Sequence, residues 1–126
     1  MKIITSQIDR DTFILILSDF MMISGKYWGE KIKVAHGGVS QVDDEKQYQY
    51  KTIDTKDLIN QIYDEEKKED FRIGEWDYFI TDESETDIVQ LCHESDIHFE
   101  VMNQEFSRII ESMLQKLNIK SYTVDE

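Results

Sequence analysis

Between Cys92 and Glu100 the chain holds one cysteine, two histidines and three carboxylates, in the run Cys92-His93-Glu94-Ser95-Asp96-Ile97-His98-Phe99-Glu100. Imidazole titrates near neutral pH and is the commonest metal ligand, so two of them flanking carboxylates invite a metal or acid–base reading. The zinc-helix pattern His-Glu-x-x-His needs its histidines four apart on one turn. His93 and His98 are five apart, and the third histidine, His36, is distant in sequence. On a strand with one wet face, Asp96, His98 and Glu100 instead form a solvated row with His93 at the preceding turn. That polar row outweighs the metal reading, so neither a metal nor a cofactor is expected.

Nucleophilic chemistry has less support. Cys92 closes an apolar strand, where a thiol is usually buried and inert. Strict alternation would send His93 to the opposite face, away from the sulfur. No serine sits in a Gly-x-Ser-x-Gly elbow, and His36-Gly37-Gly38 lacks the spacing of a phosphate-binding loop. The sequence predicts no catalytic residue and hence no enzyme. The reading kept in reserve is a small metal-dependent or acid–base enzyme using His93, Asp96, His98 and Glu100.

The elements that would position these groups follow from periodicity. Asp96 to Val101 alternates polar and apolar, which predicts a strand with Ile97, Phe99 and Val101 in the core. Asn103 is placed to cap a helix over 104–117, with Glu105 in its first turn and an apolar stripe from Phe106 through Ile110 to Leu117. A first helix is predicted over 11–24, apolar on most sides and ended by Gly25; its Phe13–Leu17 run alone could equally be a strand. Lys26 to Gly29 would then be a loop, with Trp28 as a lid over the core. Residues 30–35 and 47–53 alternate as strands, and 40–46 make a polar loop. A third helix is expected over 55–68, begun by Thr55 and fraying into the solvated charges of 64–70. Phe71 and Ile73 share one phase, whereas Trp76, Tyr78 and Ile80 share the other, so a bulge at Gly74-Glu75 is needed to bring both to the core. Residues 1–5 and 119–124 are candidates for short terminal strands.

Consecutive strands with short turns over 71–101, packed on two or three helices, give an α+β fold with an antiparallel sheet in one domain, 1–126. One cysteine allows no internal disulfide, and no apolar run approaches a membrane span. A cytoplasmic protein without a membrane partner is the expectation.

Charge is the unusual total: 14 basic against 27 acidic residues, net -13. Residues 1–63 carry 8 and 9 of them, while residues 64–126 carry 6 and 18, so the second half holds nearly all of the excess. Such a field repels nucleic acid and attracts basic surfaces, although acidity for solubility alone is the plainer alternative. The acids concentrate in the predicted meander, at Glu75, Asp77, Asp82, Glu83, Glu85 and Asp87 and again at Glu94, Asp96 and Glu100, beside His98. If the bulge has the opposite phase, Trp76 and Tyr78 would stand exposed among them as aromatic anchors. These twelve residues are the expected binding surface for a basic protein partner.

The stretches Phe71-Arg72-Ile73-Gly74-Glu75-Trp76-Asp77-Tyr78-Phe79-Ile80 and Leu91 to Glu100, followed by the closing helix, resemble endings found among small acidic immunity proteins of bacterial polymorphic and contact-dependent toxin systems. The resemblance covers the last third to half of the chain and carries no catalytic residue. It implies a cytoplasmic inhibitor that binds one basic toxin, such as a nuclease, with carboxylates standing where phosphates would. The alternatives are the histidine enzyme and an acidic adaptor.

Overall fold

A computed structural model describes residues 2–37, 49–68 and 71–124. The predicted loop over 40–46, the start of the 47–53 strand and the tail of the charged run over 64–70 fall partly or wholly outside them. The chain order is β1 (Lys2–Thr5), α1 (Arg10–Trp28), β2 (Lys31–Gly37), β3 (Lys51–Asp54), α2 (Leu58–Lys67), β4 (Asp77–Asp82), β5 (Ile88–Leu91), β6 (Ile97–Glu100), α3 (Gln104–Lys116) and β7 (Ser121–Val124). The strands form one antiparallel sheet in the order β3-β2-β4-β5-β6-β1-β7, so the α+β fold and its β4-β5-β6 meander are as expected. Both terminal strands are real, with β1 inserted between β6 and β7.

The helices cover one sheet face. Ile3, Val34, Ile80, Val89 and Phe99 lie in register across five strands and are buried against Phe13, Phe20, Phe106 and Ile110 of α1 and α3. Each such side chain contributes about 1.5–3 kcal/mol on burial, which makes this shared layer the main source of stability. The caps are as the sequence implies for α3, where the Asn103 carboxamide oxygen accepts the Phe106 amide at 3.0 Å. At α1 the cap is Asp9, which accepts the Thr12 amide at 2.9 Å.

Three expectations are corrected. Gly25 does not end α1, which continues through Trp28 to Gly29 at φ +78. An interior glycine costs about 1 kcal/mol, and burial of Trp28 on Phe20 and Phe106 outweighs that. The helix is also not buried on most sides, since Leu15 and Met22 point outward. Before α2, residues 55–57 form a 3-10 turn and Thr55 provides no cap. Within the charged run that follows, Glu65 is buried, accepts from Gln61 at 2.9 Å and lies 3.6 Å from Lys51.

The phase slip is resolved as expected. Gly74 adopts φ +84 in a turn where the Trp76 amide reaches the Arg72 carbonyl, and Phe71, Ile73, Tyr78 and Ile80 all reach the core.

Candidate functional site

The meander has two turns, and they place the acidic residues at opposite ends of the sheet. At the β5–β6 end, the Ser95 amide donates to the Cys92 carbonyl and the Cys92 amide to the Asp96 carbonyl, with Ser95 at φ +66. That is a tight hairpin with one left-handed residue, and it holds Cys92 opposite Asp96. The turn is fastened from outside, because the Ile8 amide donates to the Ser95 carbonyl and the Ser95 hydroxyl to the Gly74 carbonyl.

Since Ile97 and Phe99 face the helices, Asp96 and His98 face the other side of the sheet, beside Gln90 of β5. Asp77 opens β4 on that same side. Its Oδ1 accepts the His93 amide at 2.9 Å and the Gln90 carboxamide at 3.3 Å, and it lies 3.0 Å from His93 Nδ1. His98 Nε2 lies 3.1 Å from Asp96 Oδ1, leaving His98 Nδ1 buried without a hydrogen-bond partner. The sheet therefore gathers Asp77, Cys92, His93, Asp96 and His98 at one corner.

This overturns the expected separation of Cys92 and His93. Strand alternation stops at Leu91, and in the turn His93 folds back until Nδ1 is 3.8 Å from the Cys92 sulfur. The pair is still no nucleophilic triad. A working triad uses opposite imidazole nitrogens for the carboxylate and the nucleophile, whereas here Asp77 and Cys92 both approach Nδ1. Burial, reinforced by the carboxylates of Asp96 and Asp77, also pushes the thiol up to about 11, so it is neutral at physiological pH. The hydrogen bond from His93 to Asp77 raises the imidazole above its ordinary value.

At the β4–β5 end the acids have internal duties. Asp82 Oδ1 accepts the amides of Thr86 and Asp87, closing the turn. Asp87 is buried, accepting the Trp28 indole N–H at 3.0 Å and the Met102 amide at 2.9 Å. It fastens the end of α1 to the link between β6 and α3. Glu83 and Glu85 remain exposed, the latter paired with Lys33 at 3.1 Å.

The twelve residues expected to bind a partner thus do not make one face. Tyr78 and Asp87 are buried; Tyr78 faces the helices because the Gly74 turn sets the core phase for β4. Trp76 is half-buried against the core. Asp77, Asp82 and Asp96 are committed to the bonds above. Glu75 is exposed and faces Arg72 at 3.7 Å, and Glu94 is exposed beside His93. Glu83, Glu85 and Glu100 stay exposed at the other end, with Glu100 opposite Lys2 and Ile88.

Two grooves flank α1 on the helical layer. One of about 630 Å³ runs between the end of α1 and the start of α2, with Met21, Met22 and Ile59 inside and Glu30, Asp54 and Lys56 at its rim. The other, of about 470 Å³, lies between α1 and α3 along Met22, Ile23, Ile109 and Met113. Met22 separates them and is 84% exposed, a large apolar side chain on a helix expected to be apolar on most sides. Ser18 and Asp19, the polar break in the run from Phe13 to Ile23, mark that outward face. Neither groove includes His93 or His98.

No protein-family model matches this sequence, and neither a curated protein nor a solved structure is significantly similar to it. Among the described residues no helix is long and apolar enough to cross a membrane.

Proposed function

We propose that the protein is a non-enzymatic inhibitor that binds a basic protein partner one-to-one, as an immunity protein binds its toxin. The observation that supports this reading is Met22, which stands exposed between two apolar grooves on an otherwise acidic molecule. The first groove continues through Glu30 and Asp54 to the end of the sheet that carries Glu83 and Glu85. Lys31 and Lys33 neutralise part of that rim. A partner of matching form would present basic side chains to the carboxylates and one long apolar side chain to the groove. The carboxylates raise the encounter rate and set the register, while the methionine ridge supplies the buried contact. The reading keeps the acidic inhibitor expected from the sequence and moves its surface from the meander strands to the α1 ridge and the β4–β5 end.

The test is capture from native cytosol at low salt on the wild-type chain, with identification of bound proteins by mass and titration of the leading partner. A single basic partner is expected, with affinity falling steeply as salt rises. Met22→Asp should weaken it by about 2 kcal/mol, roughly thirtyfold, as for a central interface residue. Glu83→Lys with Glu85→Lys should slow association, whereas Glu75→Ala, exposed at the opposite end of the sheet, should leave affinity unchanged. Absence of any stoichiometric partner, or equal binding by Met22→Asp, would reject this surface.

A further inference from the structure

The β5–β6 corner carries a second inference, independent of any partner. We propose that Cys92, Asp96 and His98, joined by a ligand from the Asp77–His93 pair, form a binding site for one zinc ion. Two sets of three donors meet there, Asp77-Cys92-His93 and Cys92-Asp96-His98. Within each set the ligand atoms lie within 4.8 Å of one another, and both sets share the Cys92 sulfur. An ion placed at that sulfur can draw on both.

Three features distinguish the corner from an ordinary wet row of polar residues. The first is donor chemistry: a thiol, imidazoles and carboxylates match the nitrogen, sulfur and oxygen set that zinc takes in tetrahedral sites. The second is covering. Cys92 is only 4% exposed, and its sulfur meets His93 Nδ1 only at 3.8 Å. His98 Nδ1 is a buried nitrogen with no partner, a costly state that a metal bond would relieve. The third is anchoring. The turn that carries these donors is tied down by the Ile8 amide on the Ser95 carbonyl and by the Ser95 hydroxyl on the Gly74 carbonyl, so they stand on a fixed backbone.

Tetrahedral zinc bonds of about 2.0–2.3 Å put neighbouring ligand atoms roughly 3.5 Å apart. Within one set the spacing therefore has to contract by about 1 Å, and the fourth donor, from the other set, has further to move; side-chain rotation supplies both while the hairpin backbone stays fixed by Ile8 and Gly74. On coordination the Cys92 sulfur gives its proton to solvent and bonds as the thiolate. The set of Cys92, Asp96 and Asp77 then carries up to three negative charges to balance the ion's two positive ones. With four protein ligands and a thiol among them, the role inferred is structural: the ion pins β4, the hairpin turn and β6 together.

Titration of the reduced, metal-stripped full chain with Co²⁺ alone tests this, because a cobalt–thiolate bond gives a near-ultraviolet charge-transfer band that oxygen ligands do not. The expected result is one Co²⁺ per chain with that band, displaced stoichiometrically by Zn²⁺, and a rise in thermal midpoint with metal. Cys92→Ser should abolish the band, and His98→Ala and the near-isosteric Asp96→Asn should each weaken binding at least tenfold. His36→Ala should change nothing. Circular dichroism of each variant separates lost ligation from lost folding, and Asp96→Asn keeps the test decisive if Cys92→Ser does not fold. A wild-type chain that shows no charge-transfer band overturns the site. So does cobalt bound equally by wild type, Cys92→Ser and Asp96→Asn, which would mark diffuse binding to surface carboxylates.

Discussion

The two turns of the meander have similar composition and opposite fates. Residues 82–87 and 92–96 are both short, polar and acidic, and both lie where strands of one antiparallel sheet reverse. At 82–87 the carboxylates turn inward: Asp82 closes its own turn and Asp87 reaches under the sheet's end to Trp28 and Met102. At 92–96 they turn toward the face away from the helices and meet a thiol and two imidazoles. What decides the difference is the neighbour and not the acid. One turn abuts the end of α1 and the link between β6 and α3, which offer an indole N–H and a backbone amide in need of acceptors. The other abuts the first residue of β4, which contributes a further carboxylate. An acidic turn is a partner surface only after such internal claims have been met.

The contrast is broken most severely at Asp87. Replacement by Ala leaves the Trp28 indole and the Met102 amide buried without acceptors, and hydrogen bonds to a charged group are worth about 1.5–3 kcal/mol each. We expect Asp87→Ala to destabilise the chain by about 3 kcal/mol, seen as a lower urea midpoint with unchanged slope. The fluorescence of Trp28 should shift as well. If Asp87 were an exposed partner contact, the same substitution would leave the midpoint within about 0.5 kcal/mol of wild type, as for ordinary surface changes.

At the other turn Asp77 is the counterpart, and its signature is a pH dependence. The hydrogen bond to Asp77 raises the His93 imidazole, so the folded state holds that proton more tightly than the unfolded chain does. The resulting stabilisation is fully present below about pH 6.5, the unfolded value, and is lost as pH rises through the higher folded value. Urea midpoints of the metal-free chain should therefore fall as pH rises above about 6.5. Asp77→Asn should flatten that fall and cost less overall than Asp87→Ala, because His93 is exposed. An unchanged slope in Asp77→Asn would show that the pair seen at 3.0 Å does not persist in solution.

Much of the architecture is legible in the chain because it rests on short-range period and on caps. Ile97-His98-Phe99 fixes the phase of β6, and Asn103 with the Phe106 stripe fixes α3; both are local patterns that packing reinforces. The end of α1 is not legible, because the local signal of Gly25 is worth about 1 kcal/mol and the opposing contacts of Trp28 come from residues far along the chain. The candidate site divides in the same way. Its members His93, Asp96 and His98 stand out from type and spacing, but Asp77 lies fifteen residues before Cys92 and is brought in only by the β4–β5 pairing. Alternation also misplaces His93, since period two holds within a strand and lapses in the turn beyond it. Met22 escapes for a further reason: periodicity reports that a helix has an apolar face, not how much of that face its neighbours cover.

The smallest expected effect compares the two turns through their backbones. Glu85 and Ser95 each hold a left-handed conformation, at φ +55 and +66, which side chains with a Cβ adopt at some cost. The Glu85 side chain offsets that cost with a surface ion pair to Lys33, of little weight in water. Ser95 adds a hydroxyl bond to the Gly74 carbonyl, which ties the hairpin to the turn before β4. Glycine at either position relieves the strain, so the substitutions differ in what else they remove. Glu85→Gly should raise stability by about 0.5–1 kcal/mol, measured by urea midpoint at neutral pH. Ser95→Gly should gain nothing net, because the lost hydroxyl bond is worth about 1 kcal/mol. A clear gain from Ser95→Gly would mean that the hydroxyl bond contributes nothing, and the β5–β6 turn would then owe its fastening to its backbone bonds.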